Sequence, residues 1–442
     1  MKTLRELCKY PSALAGLIII LDLVAVSIYA VVTIPYSEAI RLWRGGEDVW
    51  YRSPRNAPPT WTNFFRREKL PATFSLSLES ESVTRSEKET ADGKEIIITF
   101  PFDFSYDTFP QELALYLDPV YEEKQPYISV TMTTPDGRDL RIADFAVSPS
   151  QTYLFSQDTR LTRRLGGLVP HEGVFLNPEF ESKTPIKGDY VITIKALTFE
   201  KDADLRAEFV MFGQVAGWAG TDHLRRDLSI ALLWGTPVAL MFGLLAAFGT
   251  SVATMIIAAV GVWYSGWVDG LIQRITEVNL LIPFIPMLIM IGTFYSRSIW
   301  VILSATILLS VFGGSIITYR AVFLQIKESP YIEAARAYGA GNARIILSYL
   351  IPRIIPLLIP QLVILIPANV FLEASLAVIG LGDPILPTWG KVITDAIGNG
   401  ALYQGHYYWI LEPAFLLMLT GLAFAMLGFV LDRIFNPRLR GI

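Results

Sequence analysis

Reactive side chains are few in this sequence, and their spacing does not build a catalytic or metal centre. The chain has one cysteine, Cys8, and three scattered histidines, His171, His223 and His406. None of the histidines is at the spacing of a zinc ligand set, and a single cysteine allows no internal disulfide. No glycine-rich phosphate loop ending in Lys-Ser or Lys-Thr is present. We therefore predict no catalytic residue, no metal site, no cofactor and no ATP site of this type.

Two acids lie inside long apolar runs, where a charge is costly. Asp22 is in the first run, and Glu373 is deep in a later one. Ionisable groups within a bilayer face the interior of a helix bundle or a water-filled cavity. Glu373 is therefore a candidate for lining a pathway, whereas for Asp22 a structural and a functional role both stay open.

A polar segment at residues 331–360 interrupts the apolar second half of the chain. Its first eight residues are good helix formers and predict about two helical turns, which Gly339 and Gly341 end. Asn342 is predicted to cap a second helix that enters the bilayer. A helix so short is unstable alone, and it is too polar for lipid. We therefore expect a partner protein to hold it.

Three prolines, Pro352, Pro356 and Pro360, recur every four residues and lie near one face of the helix that follows. Each proline removes a backbone donor and favours a bend. Packing is the default interpretation, but their position beside a partner-binding loop favours a helix that moves. Trp389 belongs to a later loop, for which a re-entrant structural role is favoured over substrate contact.

Composition places the chain in a membrane. It has 442 residues, of which 52% are hydrophobic, its net charge is −4, and its mean hydropathy is +0.42. The small net charge and the lack of a long basic run argue against a nucleic-acid partner. Six runs are long enough to cross a bilayer, which takes roughly 20 residues: Ser12–Val32, Leu232–Val262, Ile275–Tyr295, Ile299–Ile317, Ile354–Gly380 and Trp409–Leu431.

Basic residues predict the topology. Lys2, Arg5 and Lys9 precede the first run, and arginines recur in the loop at 320–353 and at the C-terminus. Cytoplasmic loops are rich in such residues, so both termini and this loop are expected in the cytoplasm. A cleaved signal peptide is the alternative for the first run. Its apolar core would be shorter, about 7–15 residues, and would end in a small-residue cleavage site.

Residues 36–219 differ in composition and are predicted to lie outside the cytoplasm. Charged residues are frequent there, and four alternating runs read as strands, at residues 95–103, 126–135, 189–200 and 204–213. Pro135-Asp136-Gly137 is a turn signal, and 160–187 is expected to be a loop with one short helix. A mostly-β domain, plausibly a sandwich, is predicted, with residues 43–70 forming a helical or membrane-surface lead-in. A rigid spacer or docking surface is favoured over a ligand-binding role.

The polar segment resembles a known motif. Glu333-Ala334-Ala335, then Gly339, then Pro352 are spaced as in the EAA loop of ABC-importer permeases. The family has an aliphatic residue and a leucine where this chain has Tyr349 and Ile351. The resemblance implies that the short helix docks into a groove of an ATP-binding subunit and couples ATP hydrolysis to opening of the pore.

Four further stretches resemble the C-type permease subunit of oligopeptide, dipeptide and nickel importers: Gly220–Leu228, Gly266–Phe284, Leu372–Gly390 and Asn436–Arg440. Arg225 replaces the second glycine of the first motif, and Pro237 stands where arginine is usual. The resemblance covers the first span loosely and the chain after Gly220 well. It does not cover 36–219, where the family has a much shorter segment.

The resemblance implies an all-α polytopic membrane protein of the type I ABC-importer permease fold with six transmembrane helices. The strand pattern of 36–219 adds an inserted mostly-β extracytoplasmic domain. The expected domains are 1–35 with the first helix, 36–219 as the insertion and 220–442 as the permease core with five helices. The expected partners are a homologous B-type permease subunit, two ATPase subunits that bind ATP and magnesium, an extracytoplasmic solute-binding protein and the lipid bilayer. The expected coupling residues are Glu333, Ala334, Ala335, Arg336, Gly339 and Pro352, and the gating or pathway candidates are Glu373, Pro356, Pro360, Asp269 and Trp389.

The function predicted is a non-catalytic permease subunit in the cell inner membrane, passing peptides or a similar small solute delivered by a binding protein. Nickel and sugars stay open as cargo. The alternative is a membrane-anchored sensor whose β-domain binds a ligand. A secondary transporter is a third interpretation, for which no inverted repeat of spans is visible. The inserted domain is hypothesised to help dock or orient the binding protein.

Overall fold

The computed structural model describes residues 9–90, 93–176, 184–200 and 202–435. Cys8, the basic residues Lys2 and Arg5, and the Asn436–Arg440 motif lie outside the described residues. The chain divides into two compact units. One, the membrane unit, comprises Met1–Arg44 and Ile230–Ile442, and the other, the β unit, is Gly45–Ser229.

The described residues of the β unit form nine strands in two antiparallel sheets. The four-stranded sheet has the order β1-β9-β4-β7, and the five-stranded sheet has the order β2-β3-β8-β5-β6. The strands are β1 Phe74–Leu76, β2 Thr84–Thr90, β3 Gly93–Phe104, β4 Glu112–Val120, β5 Tyr127–Thr133, β6 Asp139–Ala146, β7 Gln151–Leu154, β8 Gly188–Thr198 and β9 Asp204–Phe212.

The core of this unit is formed by every second side chain along the strands. Ile96, Ile98 and Phe100 of β3 point inward and are completely buried, and Phe209 and Met211 of β9 meet them from the other sheet. Successive side chains on a strand face opposite sides, so each sheet offers one apolar face to the other. The mostly-β domain predicted from the sequence is therefore confirmed, and its architecture is a sandwich.

The sequence revealed four strands that have a neighbour on each side, and it missed the inner strand β4 together with the edge strands β1, β2, β6 and β7. The four predicted runs correspond to β3, β5, β8 and β9. Strand β2, with the sequence Thr-Arg-Ser-Glu-Lys-Glu-Thr, pairs only with β3 at the edge of its sheet. Charged edge strands carry no apolar alternation and resist pairing with other chains.

Local signals in the β unit are partly confirmed. The predicted turn is present: the Thr134 amide donates to the Arg138 carbonyl at 3.0 Å, and Gly137 has φ +82°. Two short helices, α3 (Thr159–Arg164) and α4 (Pro170–Gly173), occupy the segment expected to hold one. Two 3₁₀ turns, Thr60–Phe65 and Phe155–Gln157, complete the unit.

The membrane unit is helical. Its helices are α1 Pro11–Thr33, α2 Tyr36–Arg44, α5 Leu228–Tyr264 (which starts in the β unit), α6 Gly266–Leu281, α7 Phe284–Phe294, α8 Ile299–Val311, α9 Gly314–Lys327, α10 Pro330–Ala337, α11 Asn342–Ile345, α12 Ile351–Leu376, α13 Trp389–Gly398 and α14 Tyr408–Phe435. Two π-helical turns, Ile346–Leu350 and Ala377–Leu381, extend α12 at its two ends, so that apolar helix runs over Asn342–Leu381 with a kink at Gly380, where φ is +91°.

Within the described residues, four helices are long and apolar enough to cross a membrane: Pro11–Thr33, Leu228–Tyr264, Asn342–Leu381 and Tyr408–Phe435. The number rises to six only if each of two bent pairs is one span. The pair α6 and α7 bends by 82°, and the pair α8 and α9 bends by 46°. The six spans expected from hydropathy are therefore not confirmed, because the described residues give between four and six candidates.

Pro283 accounts for the sharper break. A proline lacks an amide donor and disfavours helical geometry at the preceding residue. Ile282 accordingly has extended backbone angles, φ −75° and ψ 125°, and α7 starts after Pro283. Hydropathy does not register this break, because the residues directly on both sides of Pro283, 280–282 and 284–285, are all apolar.

Helix α14 packs closely against both α1 and α12 through small residues. A Cβ at Gly16 would come within 2.6 Å of the Ala423 carbonyl oxygen, and one at Gly428 within 2.8 Å of Ile364. Another at Gly421 would meet the Phe371 ring at 2.7 Å. Such close approach is typical of helix contacts in membranes.

Phe209 tests the sandwich core. The Phe209 ring packs on Phe74 and Phe102, and the residue is completely buried. Phe209→Ala is expected to lower the free energy of unfolding of the β unit by about 3–5 kcal/mol. The matched control is Phe199→Ala at a half-exposed position, with an expected cost below about 1 kcal/mol. Both are measured by denaturant unfolding of the full chain in detergent, and equal midpoints would contradict the packing.

Candidate functional site

Helix α10 carries the predicted coupling motif with one face inward and one outward. Ile332 and Ala335 are buried, and Ile332 packs in an apolar cluster with Tyr319 and Phe323. Glu333 and Ala334 are exposed. The helix thus lies against its own chain by one side and presents the Glu-Ala side to solvent.

A glycine ends this helix in the way the sequence predicts. Gly339 has φ +79°, its amide donates to the Arg336 carbonyl at 2.9 Å, and the Ala340 amide donates to the Ala335 carbonyl at 3.0 Å. These two bonds define a Schellman motif, whose left-handed residue is usually glycine. The preceding residue, Tyr338, is 93% exposed and projects at the helix end.

The second predicted cap is wrong. Asn342 is the first helical residue of α11, and the capping residue is Gly341, with no side-chain bond to the helix. An asparagine caps only from a non-helical residue ahead of the helix, and the chain here becomes helical one residue earlier than expected.

Cations tie the motif to the ends of two long helices. The Arg336 guanidinium lies over the Trp263 ring at 4.3 Å, and Trp263 is in the last turn of α5. Lys327 Nζ donates to the Val262 carbonyl at 2.7 Å, also at that end of α5. Arg353 lies over the Tyr331 ring at 5.2 Å and joins α10 to α12. A displacement of α10 would therefore act directly on both helices.

Asp269 makes an ion pair. Its carboxylate accepts from Arg320 Nε at 2.8 Å and from Arg320 Nη2 at 2.6 Å, and it also accepts from Gln273 at 2.8 Å. Two parallel bonds to one guanidinium give a strongly directional pair. This pair joins α6 to α9 and is separate from the Glu373 and Trp389 group described next.

Glu373 and Trp389 lie at the other end of α12, next to one loop. Glu373 is buried, and its carboxyl group lies beside the Thr388 side chain. Trp389 is buried and its indole N–H donates to the Leu232 carbonyl of α5 at 3.0 Å. Asp383 closes the same loop by accepting from the Ile299 amide at 2.9 Å.

Thr388 and Asp383 were missed by the sequence reading. Thr388 is the N-cap of α13 and accepts from the Lys391 amide at 3.2 Å, a capping role that a threonine before a helix signals. Asp383 binds three backbone amides, those of Ile299, Ile385 and Leu386. These three contacts of Asp383 can be seen only in the folded loop.

The three regularly spaced prolines do not share one environment. Pro352 and Pro356 are exposed, whereas Pro360 is buried. The backbone of helix α12 stays helical through all three prolines. The π-helical turn just before Pro352 is the only irregularity at this end of the described helix.

No group of three or more histidine, cysteine, aspartate or glutamate side chains that could hold a metal ion is found among the described residues. Neither Glu373 nor Asp269 is part of such a group.

The β unit contains a separate charged cleft of about 1020 Å³ on the four-stranded sheet. In this cleft the Tyr51 and Tyr116 rings meet edge to face, with their centroids 4.9 Å apart. The Arg52 side chain forms an ion pair with Glu208 at 2.6 Å. Among its remaining charged lining residues are Glu47, Asp48, Glu79, Asp118, Arg206 and Arg225.

Arg225 explains one departure from the family motif. It has φ +67°, a conformation that glycine adopts without strain and that other residues rarely take. The side chain donates to the Ser53 carbonyl at 2.7 Å and lies over the Phe212 ring at 4.6 Å. The left-handed backbone that a glycine would favour is therefore kept, and the arginine adds two contacts within the β unit.

Comparison with known proteins settles the family. Residues 239–441 match the model of the binding-protein-dependent transport system inner membrane component family. The dipeptide transport system permease protein DppC of Bacillus subtilis strain 168 is 31% identical over 224 residues, which are 50% of this chain and 69% of the relative. The chain belongs to this permease family.

Further relatives agree. The dipeptide transport system permease protein DppC of Alkalihalophilus pseudofirmus is 29% identical over 226 residues, covering 50% of this chain and 72% of the relative. The glutathione transport system permease protein GsiD of Escherichia coli O6:K15:H31 strain 536 is also 29% identical over 226 residues, covering 51% and 73%. The predicted resemblance to peptide ABC-importer permeases is confirmed, and nothing favours the sensor alternative.

Membership fixes the broad role of this permease. It is a multi-pass inner-membrane component of an ABC importer, in which ATPase subunits and a binding protein are partners, and its family is not catalytic. The family match falls entirely within the membrane unit. The β unit lies outside that match.

Gly235 tests the packing around Trp389. A Cβ at Gly235 would come within 2.3 Å of the Trp389 ring, so Gly235→Ala must displace the indole from α5. Overpacking of this kind costs about 1–3 kcal/mol. We expect a lower melting temperature and reduced uptake by the assembled importer.

The matched control for that variant is Gly270→Ala in α6, where nothing lies within 4 Å of the added Cβ. It should be neutral or slightly stabilising, because alanine favours a helix by about 1 kcal/mol over glycine. The same melting temperature for both variants would contradict the proposed contact between α5 and Trp389.

Proposed function

We propose that this chain is the C-type half of a heterodimeric permease that passes peptides, or a solute of similar size and chemistry, across the inner membrane. The observation that carries the proposal is the exposed Glu-Ala face of α10 on a helix anchored to α5 and α12. The names of the related dipeptide and glutathione permeases support a peptide-like cargo. A homologous B-type subunit completes the pathway.

In the proposed mechanism, two ATPase subunits close on ATP and magnesium, which they bind themselves, and push on α10. Glu333, Ala334 and the projecting Tyr338 present the contact surface, while Gly339 sets the turn that follows. Arg336 and Lys327 transmit the displacement to α5, and Arg353 transmits it to α12. The spans then re-pack between inward-open and outward-open arrangements.

The pathway candidates divide into two groups in this mechanism. Glu373 and Trp389 form a gate at one end of α12, and Pro356 and Pro360 let α12 flex below it. Asp269 acts through its pair with Arg320, as a strut between α6 and α9. The lysines and arginines around α10 support a cytoplasmic position for the coupling segment and both termini, with six spans and an extracytoplasmic β unit.

Glu333→Arg tests the coupling surface. The change reverses the charge of an exposed side chain and should leave the fold intact, while removing the ATPase contact. We expect at least a tenfold loss of co-purified ATPase subunits, about 1.4 kcal/mol of binding free energy, together with loss of uptake. Glu123→Arg, an exposed acid in the β unit, is the control. ATPase retained at the wild-type ratio would refute the proposed contact.

We further propose that the β unit docks or orients the solute-binding protein through its charged cleft. The supporting observation is the mixture of acids and arginines around the Tyr51–Tyr116 pair, which suits a polar protein surface. A rigid spacer is the competing role for this unit. The two roles predict different effects of charge on association with the binding protein.

Arg206→Glu tests the cleft. Arg206 is exposed and lines it. We expect the affinity of the binding protein for the importer in nanodiscs to fall by roughly tenfold, as is typical for a charge pair worth about 1.4 kcal/mol. The control is Arg163→Glu, an exposed arginine on α3 outside the cleft. Unchanged affinity with unchanged uptake for Arg206→Glu would leave the spacer role.

A further inference from the structure

One corner of the β unit displays large aromatic side chains to solvent. Phe64 is 87% exposed, Phe65 78%, Trp218 53% and Trp61 51%. Together these four residues are called the aromatic corner below. Contiguous exposed apolar side chains of this size on a folded domain mark a contact surface.

The aromatic corner is rigidly built. Trp61 Nε1 donates to the Trp218 carbonyl at 2.9 Å, and the Thr60 amide donates to the Gly217 carbonyl at 2.9 Å. Asn63 exchanges two bonds with the backbone of Leu70, at 2.9 and 3.1 Å. The Trp61 ring and the backbone that carries the other rings are therefore held by these bonds, so little backbone entropy is lost when the corner binds.

The rings also pack on one another while staying exposed. Phe65 meets Phe64 edge to face at 5.4 Å and Trp61 edge to face at 6.3 Å. They form one surface, with the polar backbone of the Thr60–Phe65 turn bonded beneath it. A surface of this kind can enter an apolar layer without exposing unsatisfied donors.

Basic side chains border the aromatic corner. Arg66 and Arg67 follow Phe65 directly and are exposed, and Lys69 is exposed beyond the single acid Glu68. No ion pair within the described part of the chain engages Arg66 or Arg67. Exposed aromatic rings beside unpaired arginines suit the interface of a bilayer, where rings enter the headgroup boundary and cations meet lipid phosphates.

The chain itself keeps a bilayer within reach of the aromatic corner. Trp218 precedes Leu228, the first residue of the membrane helix α5, by ten residues. Ten residues span at most about 35 Å even when fully extended. The segment that contains Trp218 leaves the sandwich at the Phe212 end of β9, which is also the end that carries the corner.

We propose that the aromatic corner inserts into the lipid–water interface of the membrane that holds this chain. Arg66 and Arg67 contact the phosphates of anionic lipid. The β unit is thereby fixed to the bilayer surface at this corner, in addition to its covalent links. Rings beside arginines suit the boundary between lipid tails and headgroups, whereas a protein partner would not require this combination. A protein partner is the competing occupant in the test.

The test uses the full chain with its natural cysteine removed by Cys8→Ser, so that one introduced cysteine can be labelled. Phe64→Cys carries an environment-sensitive fluorophore, and the chain is reconstituted in vesicles of phosphatidylethanolamine and phosphatidylglycerol that contain a doxyl-labelled quencher lipid. The matched control is Phe199→Cys, also in the β unit and 44% exposed. Phe199 follows β8 near Glu200, which binds the backbone after β4, at the Asp204 end of the sandwich.

We expect lipid quenching at Phe64→Cys at least threefold greater than at Phe199→Cys. Adding Arg66→Glu and Arg67→Glu to Phe64→Cys should lower that quenching by at least twofold. Melting temperatures equal to that of the Cys8→Ser chain show that these exposed substitutions leave the fold intact. Equal quenching at the two labelled positions overturns the proposal. Protection of the Phe64→Cys label that requires added solute-binding protein also overturns it, and assigns the aromatic corner to that protein.

Discussion

A bilayer supplies no water to backbone amides, carbonyls or charges, and this constraint accounts for the partners of several polar groups in the membrane unit, although Asp22 of α1 is exposed. Glu373 is buried against Thr388, and Asp269 faces Arg320 through two bonds. Lys327 donates to a carbonyl at the end of α5, where the helix leaves acceptors without partners. Each of these contacts joins two elements, so satisfying the polar groups also fixes how the helices pack.

Helix α10, the segment proposed to couple, buries only Ile332 and Ala335 and presents Glu333 and Ala334 to solvent. Its attachment to the long helices relies on Arg336 and Arg353 lying over aromatic rings, a contact that tolerates sliding better than a bidentate ion pair does. A short lever with one exposed face and adaptable attachments suits a subunit whose energy source is on another chain.

The β unit obeys different physics, because its core forms in water. Two antiparallel sheets bury alternate side chains of β3, β8, β4 and β9 between them, which leaves polar side chains on the outer faces. Phe64, Phe65, Trp61 and Trp218 depart from this rule, since they are large, apolar and exposed, and Trp61 Nε1 donates to the Trp218 carbonyl. The domain thus offers two distinct surfaces, the charged cleft and the aromatic corner.

The sequence by itself determined the class of the protein, the short helix that Gly339 ends and four of the strands with a buried face. Hydropathy, the Glu333–Gly339 spacing and period-two alternation are local signals, and a linear reading registers them in full. The tertiary structure decided what depends on distant residues. The partners of Asp269 and Glu373, the contact of Trp389 with Gly235 and the left-handed turn at Arg225 join positions far apart in the chain. Pro283 shows both contributions. The sequence contains the proline, but the 82° angle between its flanking helices appears only in the packed structure.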